Sequence, residues 1–205
     1  MYKKRQANFY MEHLAVRELK KYANGRYSTG EPCAVPIEEI IEKQYNISIE
    51  YHYLRKNLSV LGQMVFEDGN VPIYDIDKKC YTLIYVPAKT MMIDIRLLQD
   101  KRFANRLRFT YAHELAHLLI HKEYFNYGEQ SPALLMGEEE DYDDMIEKQA
   151  NMFCSYFLIP TGQMKKLYNR LMAKGHNKYI VTEMADVFGV SPATMRIRLY
   201  EHGLL

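Results

Sequence analysis

At 205 residues, 48% hydrophobic and 26% charged with a formal net charge of +1, the chain has an ordinary globular composition, which excludes an intrinsically disordered protein. The length suits one domain with an appended subdomain. No stretch approaches the roughly 18 apolar residues of a membrane span, and the basic N-terminus MYKKRQANFYMEHLAVRELKKY has no apolar signal core, so a cytoplasmic protein without membrane contact is expected.

Residues 7–23 read as an amphipathic helix with Leu14, Val16 and Leu19 among its apolar positions, ending before Asn24 and Gly25. Pro36 suits the first turn of a second helix, IEEIIEKQY, and a β-like segment follows at 47–54. Segments 59–66, 71–76, 80–86 and 90–95 are short and rich in Val, Ile, Tyr and Thr. Turn signals at Asp68-Gly69-Asn70, Asp77 and Pro87 separate them, which predicts a small sheet. The strand at 90–95 is expected at a sheet edge, where an extended substrate adds by backbone pairing; a packed core strand is the alternative.

From Asp100 to His121 the pattern is helical. A loop over 122–143, with Gly128, Pro132 and Gly137, is placed to cover a site. Its acidic run Glu138-Glu139-Glu140-Asp141 reads as solvated loop, with attraction of a basic substrate as the alternative. A helix from about Asp144 to Leu158 is stopped by Pro160, and three short helices complete the chain. Cys33, Cys80 and Cys154 are odd in number and never form a C-x-x-C pair, so they read as buried thiols rather than a disulfide framework or a thiolate metal site.

His113-Glu114-Leu115-Ala116-His117 matches H-E-x-x-H. On a helix, residues four apart share one face, so two imidazoles converge on a single zinc ion with Glu114 beside it. There Glu114 takes a proton from a water whose pKa the metal lowers, and delivers it to the leaving amine. With seven His and seventeen Glu in the chain, random placement gives this pattern with a probability of roughly 2%. Phe109, Ala112, Leu115 and Leu119 form an apolar face apart from the two histidines.

A catalytic zinc site needs a third protein ligand and an open position. His121 continues the stripe but lies about 12 Å along the axis from His113, which suits a helix-end or outer-sphere histidine better than a ligand. Glu147, on the next helix, is the other candidate, with Asn151 one turn later placed to bond an imidazole or the ligand carboxylate. Asp144-x-x-Glu147 also reads as a helix-capping arrangement.

The stretch RLRFTYAHELAHLLIH followed by EKQANMFCSYFLIP resembles the ImmA/IrrE family of metallopeptidases, over about residues 90–160. The matching elements are Arg-Phe-Thr, the H-E-x-x-H ending in Leu-Leu-Ile-His, and E-x-x-A-N-x-F closing with Leu-Ile-Pro. The resemblance implies Zn2+ held by His113, His117 and Glu147, with Glu114 as catalytic base, on a reduced thermolysin-like scaffold. Gln149 departs from it, an acid being frequent there, which alters the charge around the ligands. The resemblance further implies a regulatory protease, an antirepressor whose protein substrate is a helix-turn-helix transcriptional repressor. The expected fold is thus α+β: a small mixed or antiparallel sheet, a zincin-type active-site helix and additional helices at both ends. Its expected organisation is a helical lead-in at 1–30, a zinc peptidase domain at 31–160 and a helix-turn-helix-like subdomain at 161–205.

That last part carries seven Lys or Arg against three acids, while the first 160 residues carry twenty against twenty-three. Thr182 and Ser191 read as helix N-caps, Gly189 as a turn and Pro192 as a first-turn residue, with Arg196 and Arg198 as the strong contacts of a recognition helix. A second function follows: a DNA-binding or repressor-binding regulator with a structural or vestigial metal site. Helical packing is the plainer reading of the same pattern. His52, His176 and several tyrosines stand as unassigned donors to a transition state.

Overall fold

The computed structural model describes residues 2–122, 139–175 and 178–205, with side chains described from Phe9 onward and, in the helix that begins at Glu139, from Asp144. The covering loop expected between these segments and His176 lie outside the described residues. In chain order the elements are α1 (Tyr2–Lys21), α2 (Arg26–Thr29), α3 (Ile37–Tyr45), β1 (Ser48–His52), β2 (Gly62–Val65), β3 (Gly69–Asp75), β4 (Cys80–Val86) and β5 (Thr90–Asp94). They continue as α4 (Arg96–Gln99), α5 (Ala104–Ile120), α6 (Glu139–Leu158), α7 (Thr161–Ala173), α8 (Ile180–Phe188) and α9 (Pro192–Glu201). The fold is α+β, as expected. No helix among the described residues is long and apolar enough to cross a membrane.

By internal packing the chain divides into two compact units, Glu38–Asn151 and, together, Met1–Ile37 with Met152–Leu205. The first holds a mixed three-stranded sheet in the order β1-β5-β2, with β1 parallel and β2 antiparallel to β5, and a separate β3–β4 hairpin. All of β5 is buried, so its near-continuous apolar run Met91-Met92-Ile93 marks a central strand and not the expected edge. The edge on the α5 side is β2, which packs on that helix. Leu54, Val65, Val71, Val86 and Met92 join sheet and hairpin in one core, each burial worth about 1.5–3 kcal/mol.

Asp94, at the end of β5, is fully buried and satisfied locally. Its carboxylate accepts the Leu54 N–H and the Arg96 guanidinium at 2.7 Å. Arg96 in turn donates to the carbonyls of Arg55, Lys56 and Asn57. One buried ion pair thus ties down the segment that leads into β2, which is how a buried charge is kept from being a liability.

The second unit is helical, with Leu14, Ala15, Leu19, Phe153, Phe157, Met164, Phe188, Met195 and Leu199 in its core. Gly189, at φ 63°, ends α8 in the left-handed conformation that glycine adopts without strain. The Ser191 hydroxyl accepts the Thr194 N–H and caps α9, with Pro192 in the first turn. Thr182 is not a cap, because α8 already begins at Ile180. Arg198 is no surface contact either. It is fully buried, its guanidinium 4.0 Å from the Tyr156 ring centroid and donating to the Ile159 carbonyl, the Thr161 hydroxyl and Glu201. Of the two arginines expected on a recognition helix, only Arg196 reaches solvent. Among the cysteines only Cys154 is buried; Cys80 is exposed on the hairpin.

Candidate metal centre

Helix α5 buries Thr110, Tyr111, Ala112, Glu114, Leu115, Ala116 and His117. Phe109, His113 and His117 recur at four-residue intervals and share the face that lines a cleft of about 610 Å3. Phe109 therefore belongs to the cleft and not to the packing face expected for it. Helix α6 starts at Glu139, five residues earlier than its predicted start, so Glu139, Glu140 and Asp141 are helical and not loop. Asp144 then lies inside the helix, paired with Lys148 at 3.1 Å, which removes the capping reading of Asp144-x-x-Glu147.

Glu147 reaches the two imidazoles. Its carboxylate oxygens lie 3.1 Å from His113 Nε2 and 3.4 Å from His117 Nε2, and the two Nε2 atoms are 2.9 Å apart. One ligand atom from each of the three residues falls within 4.8 Å of the others. Asn151 lines the same cleft and is exposed, without a hydrogen bond to the imidazoles or to Glu147 among the described residues. His121 Nδ1 sits 3.2 Å from His117 Nδ1, and its Nε2 sits 3.0 Å from the Gln149 carbonyl oxygen. His52 is occupied elsewhere, 3.0 Å from Glu50, and does not line the cleft.

The donor set fits a divalent cation. Two imidazoles and one carboxylate are a recurrent catalytic zinc set, and a cation satisfies three acceptors that otherwise crowd one another. Burial, then the charges of His113 and His121, pushes His117 down to about 3, so it presents the neutral ring that coordination requires. Glu114 does not join the three. Burial, then the negative Glu147, raises its carboxyl to about 8, while the Met64 N–H on β2 donates to its ionised form. A bound cation reverses that balance and favours the carboxylate.

Gly62 was not foreseen. A Cβ there would lie 2.7 Å from Glu114 Oε1 and 2.7 Å from Thr110 Cγ2, so β2 lies close to α5 only because residue 62 has no side chain. An isolated glycine inside a strand pattern is the sequence signal for such an approach. Gly62→Ala is expected to cost about 1–3 kcal/mol in denaturant unfolding and to displace the Glu114 carboxylate. A stability equal to wild type would show that the strand and helix are not held at this distance.

A sequence model of the IrrE N-terminal-like domain, a peptidase family, matches residues 97–200, about half of the chain. No curated protein matches the chain. A solved structure of a Mycobacterium tuberculosis transcriptional regulator superposes on 93% of this chain with a TM-score of 0.54 at 15% identity, a likeness of fold. The match covers 46% of that protein, so this chain spans about half its length. The H-E-x-x-H helix and the Glu147 helix both fall inside the matched residues, and the chain belongs to the IrrE N-terminal-like family of metal-dependent peptidases.

Proposed function

We propose that the protein is a zinc-dependent endopeptidase that cuts a protein substrate, a helix-turn-helix transcriptional repressor, as a regulatory protease of the cytoplasm. The observation that carries this reading is the convergence of His113, His117 and Glu147 in the lining of one cleft, with a fourth group, the Glu114 carboxylate, beside them. Zn2+ bound there supplies a Lewis acid that activates water and polarises the scissile carbonyl. The chain's own residues do the rest.

Glu114 accepts a proton on its carboxylate and passes it to the leaving amine. The main chain of β2 supplies the substrate rail. Because the Asp94 N–H donates to the Leu61 carbonyl, antiparallel alternation turns the main-chain groups of Gly62 and the Met64 carbonyl away from β5, where an extended peptide adds as a further strand, while the Met64 N–H on the same edge is held by Glu114. Val60, Leu61, Met64, Phe66 and Phe109 line the cleft and favour an apolar substrate side chain beside the scissile bond. The repressor as substrate rests on the family resemblance. Three free cysteines are in keeping with a reducing compartment.

Zinc-loaded, desalted protein is expected to hold about one zinc per chain, lost in both His113→Ala and Glu147→Ala, and to cut a helix-turn-helix repressor until a chelator is added. Zinc content indifferent to both substitutions, or cleavage that survives complete stripping, overturns the reading.

A further inference from the structure

The two ring nitrogens of a neutral histidine are not equivalent: one carries hydrogen and donates, the other is a bare acceptor. Four groups here form a line. His117 presents Nε2 to His113 and Glu147, and its Nδ1 is 3.2 Å from His121 Nδ1. His121 Nε2 is 3.0 Å from Gln149 Oε1. A histidine that ligates through Nε2 is neutral and carries its hydrogen on Nδ1. Each contact has room for one hydrogen, so the first assignment determines all the others.

An amide oxygen only accepts, so His121 carries its hydrogen on Nε2 and leaves Nδ1 bare. That bare nitrogen accepts from His117 Nδ1–H, and His117 is left with a bare Nε2, which in the metal-free fold accepts from His113 Nε2–H at 2.9 Å and is open to a cation once that hydrogen is displaced. The reversed line, with the Gln149 amide nitrogen turned inward, puts hydrogen on His117 Nε2 and closes it to coordination. The direction of two hydrogen bonds and the ability of His117 to bind an ion are therefore one property.

We propose that Gln149 is a positioning residue that, through His121, holds His117 in the tautomer whose Nε2 can ligate a metal. The inference rests on the metal-site reading above. A neutral carbonyl does the accepting here, and no added negative charge is needed to set the direction.

The full-length protein tests this in two ways. Long-range proton–nitrogen NMR of the metal-free wild type is expected to place hydrogen on His117 Nδ1 and on His121 Nε2. Zinc affinity, measured by chelator competition on folded variants, is expected to fall about 10–100-fold in Gln149→Leu and to stay within about threefold of wild type in Gln149→Glu, which keeps an acceptor. Hydrogen on His117 Nε2, or a folded Gln149→Leu protein that binds zinc as wild type does, overturns the proposal. The NMR result decides the relay even if Gln149→Leu fails to fold. The peptidase reading fails separately, through zinc-loaded protein that cuts nothing while the tautomers stand as described.

Discussion

Glu114→Gln is expected to leave zinc bound at the wild-type stoichiometry and to lower peptide cleavage by about 10²–10⁴-fold, the usual worth of a positioned acid–base group. The amide matches the carboxyl in size, and its oxygen still accepts the Met64 N–H, so the packing of β2 on α5 is retained. It has lost the one capacity the reaction needs, that of taking and returning a proton. The candidate ligands His113, His117 and Glu147 are untouched.

A stability measurement on the same variant checks the electrostatics. In the metal-free fold burial and the negative Glu147 push the Glu114 carboxyl up to about 8 from the ordinary 4.5 of a glutamate, so the folded state binds more protons across that interval. Its contribution is fully present below about 4.5 and is lost as pH rises through about 8; the variant lacks that loss, and added zinc removes it from the wild type. Cleavage by the variant within tenfold of wild type, with zinc bound, would remove Glu114 from the chemistry.

The site was more legible than the sheet, for a physical reason. H-E-x-x-H is a local code: helical geometry brings His113 and His117 together whatever the rest of the chain does. Glu147 is distant in sequence, and the residues alone left it competing with a capping role until its helix was seen to begin at Glu139. Strand order is a long-range property. That β5 lies between β1 and β2 follows from pairings of Ser48–His52 and Gly62–Val65 with Thr90–Asp94, which no local pattern encodes. The unbroken apolar run of β5 was nevertheless a sign of a strand covered on both sides, and Gly62 a sign of close approach. His121 and Gln149 meet because one closes α5 and the other lies on α6, a contact 28 residues apart in sequence. Cation counting failed in the last helix because Arg198 found Tyr156 and Thr161 on other helices, a fact about packing and not about composition.

Arg198→Ala is expected to destabilise the helical unit by about 2–4 kcal/mol. The guanidinium is fully buried and lies over the Tyr156 ring, so truncation leaves a cavity in the core and removes a cation–π contact. It also strands the Ile159 carbonyl and the Thr161 hydroxyl, each of which accepts one of its N–H groups. Glu201, 28% exposed, can return to water, which keeps the loss below that of a wholly buried ion pair. Arg196→Ala, at an exposed position on the same helix, is expected to stay within about 0.5 kcal/mol. The pair of variants separates the two readings of the C-terminal helices, since a recognition helix loses duplex binding in both at little cost in stability. A folding unit loses stability in Arg198→Ala alone. Denaturant unfolding of the two proteins, followed by titration with duplex DNA at low salt, decides between them; equal stability of both with wild type would mean that Arg198 does not hold Tyr156, Ile159 and Thr161 together.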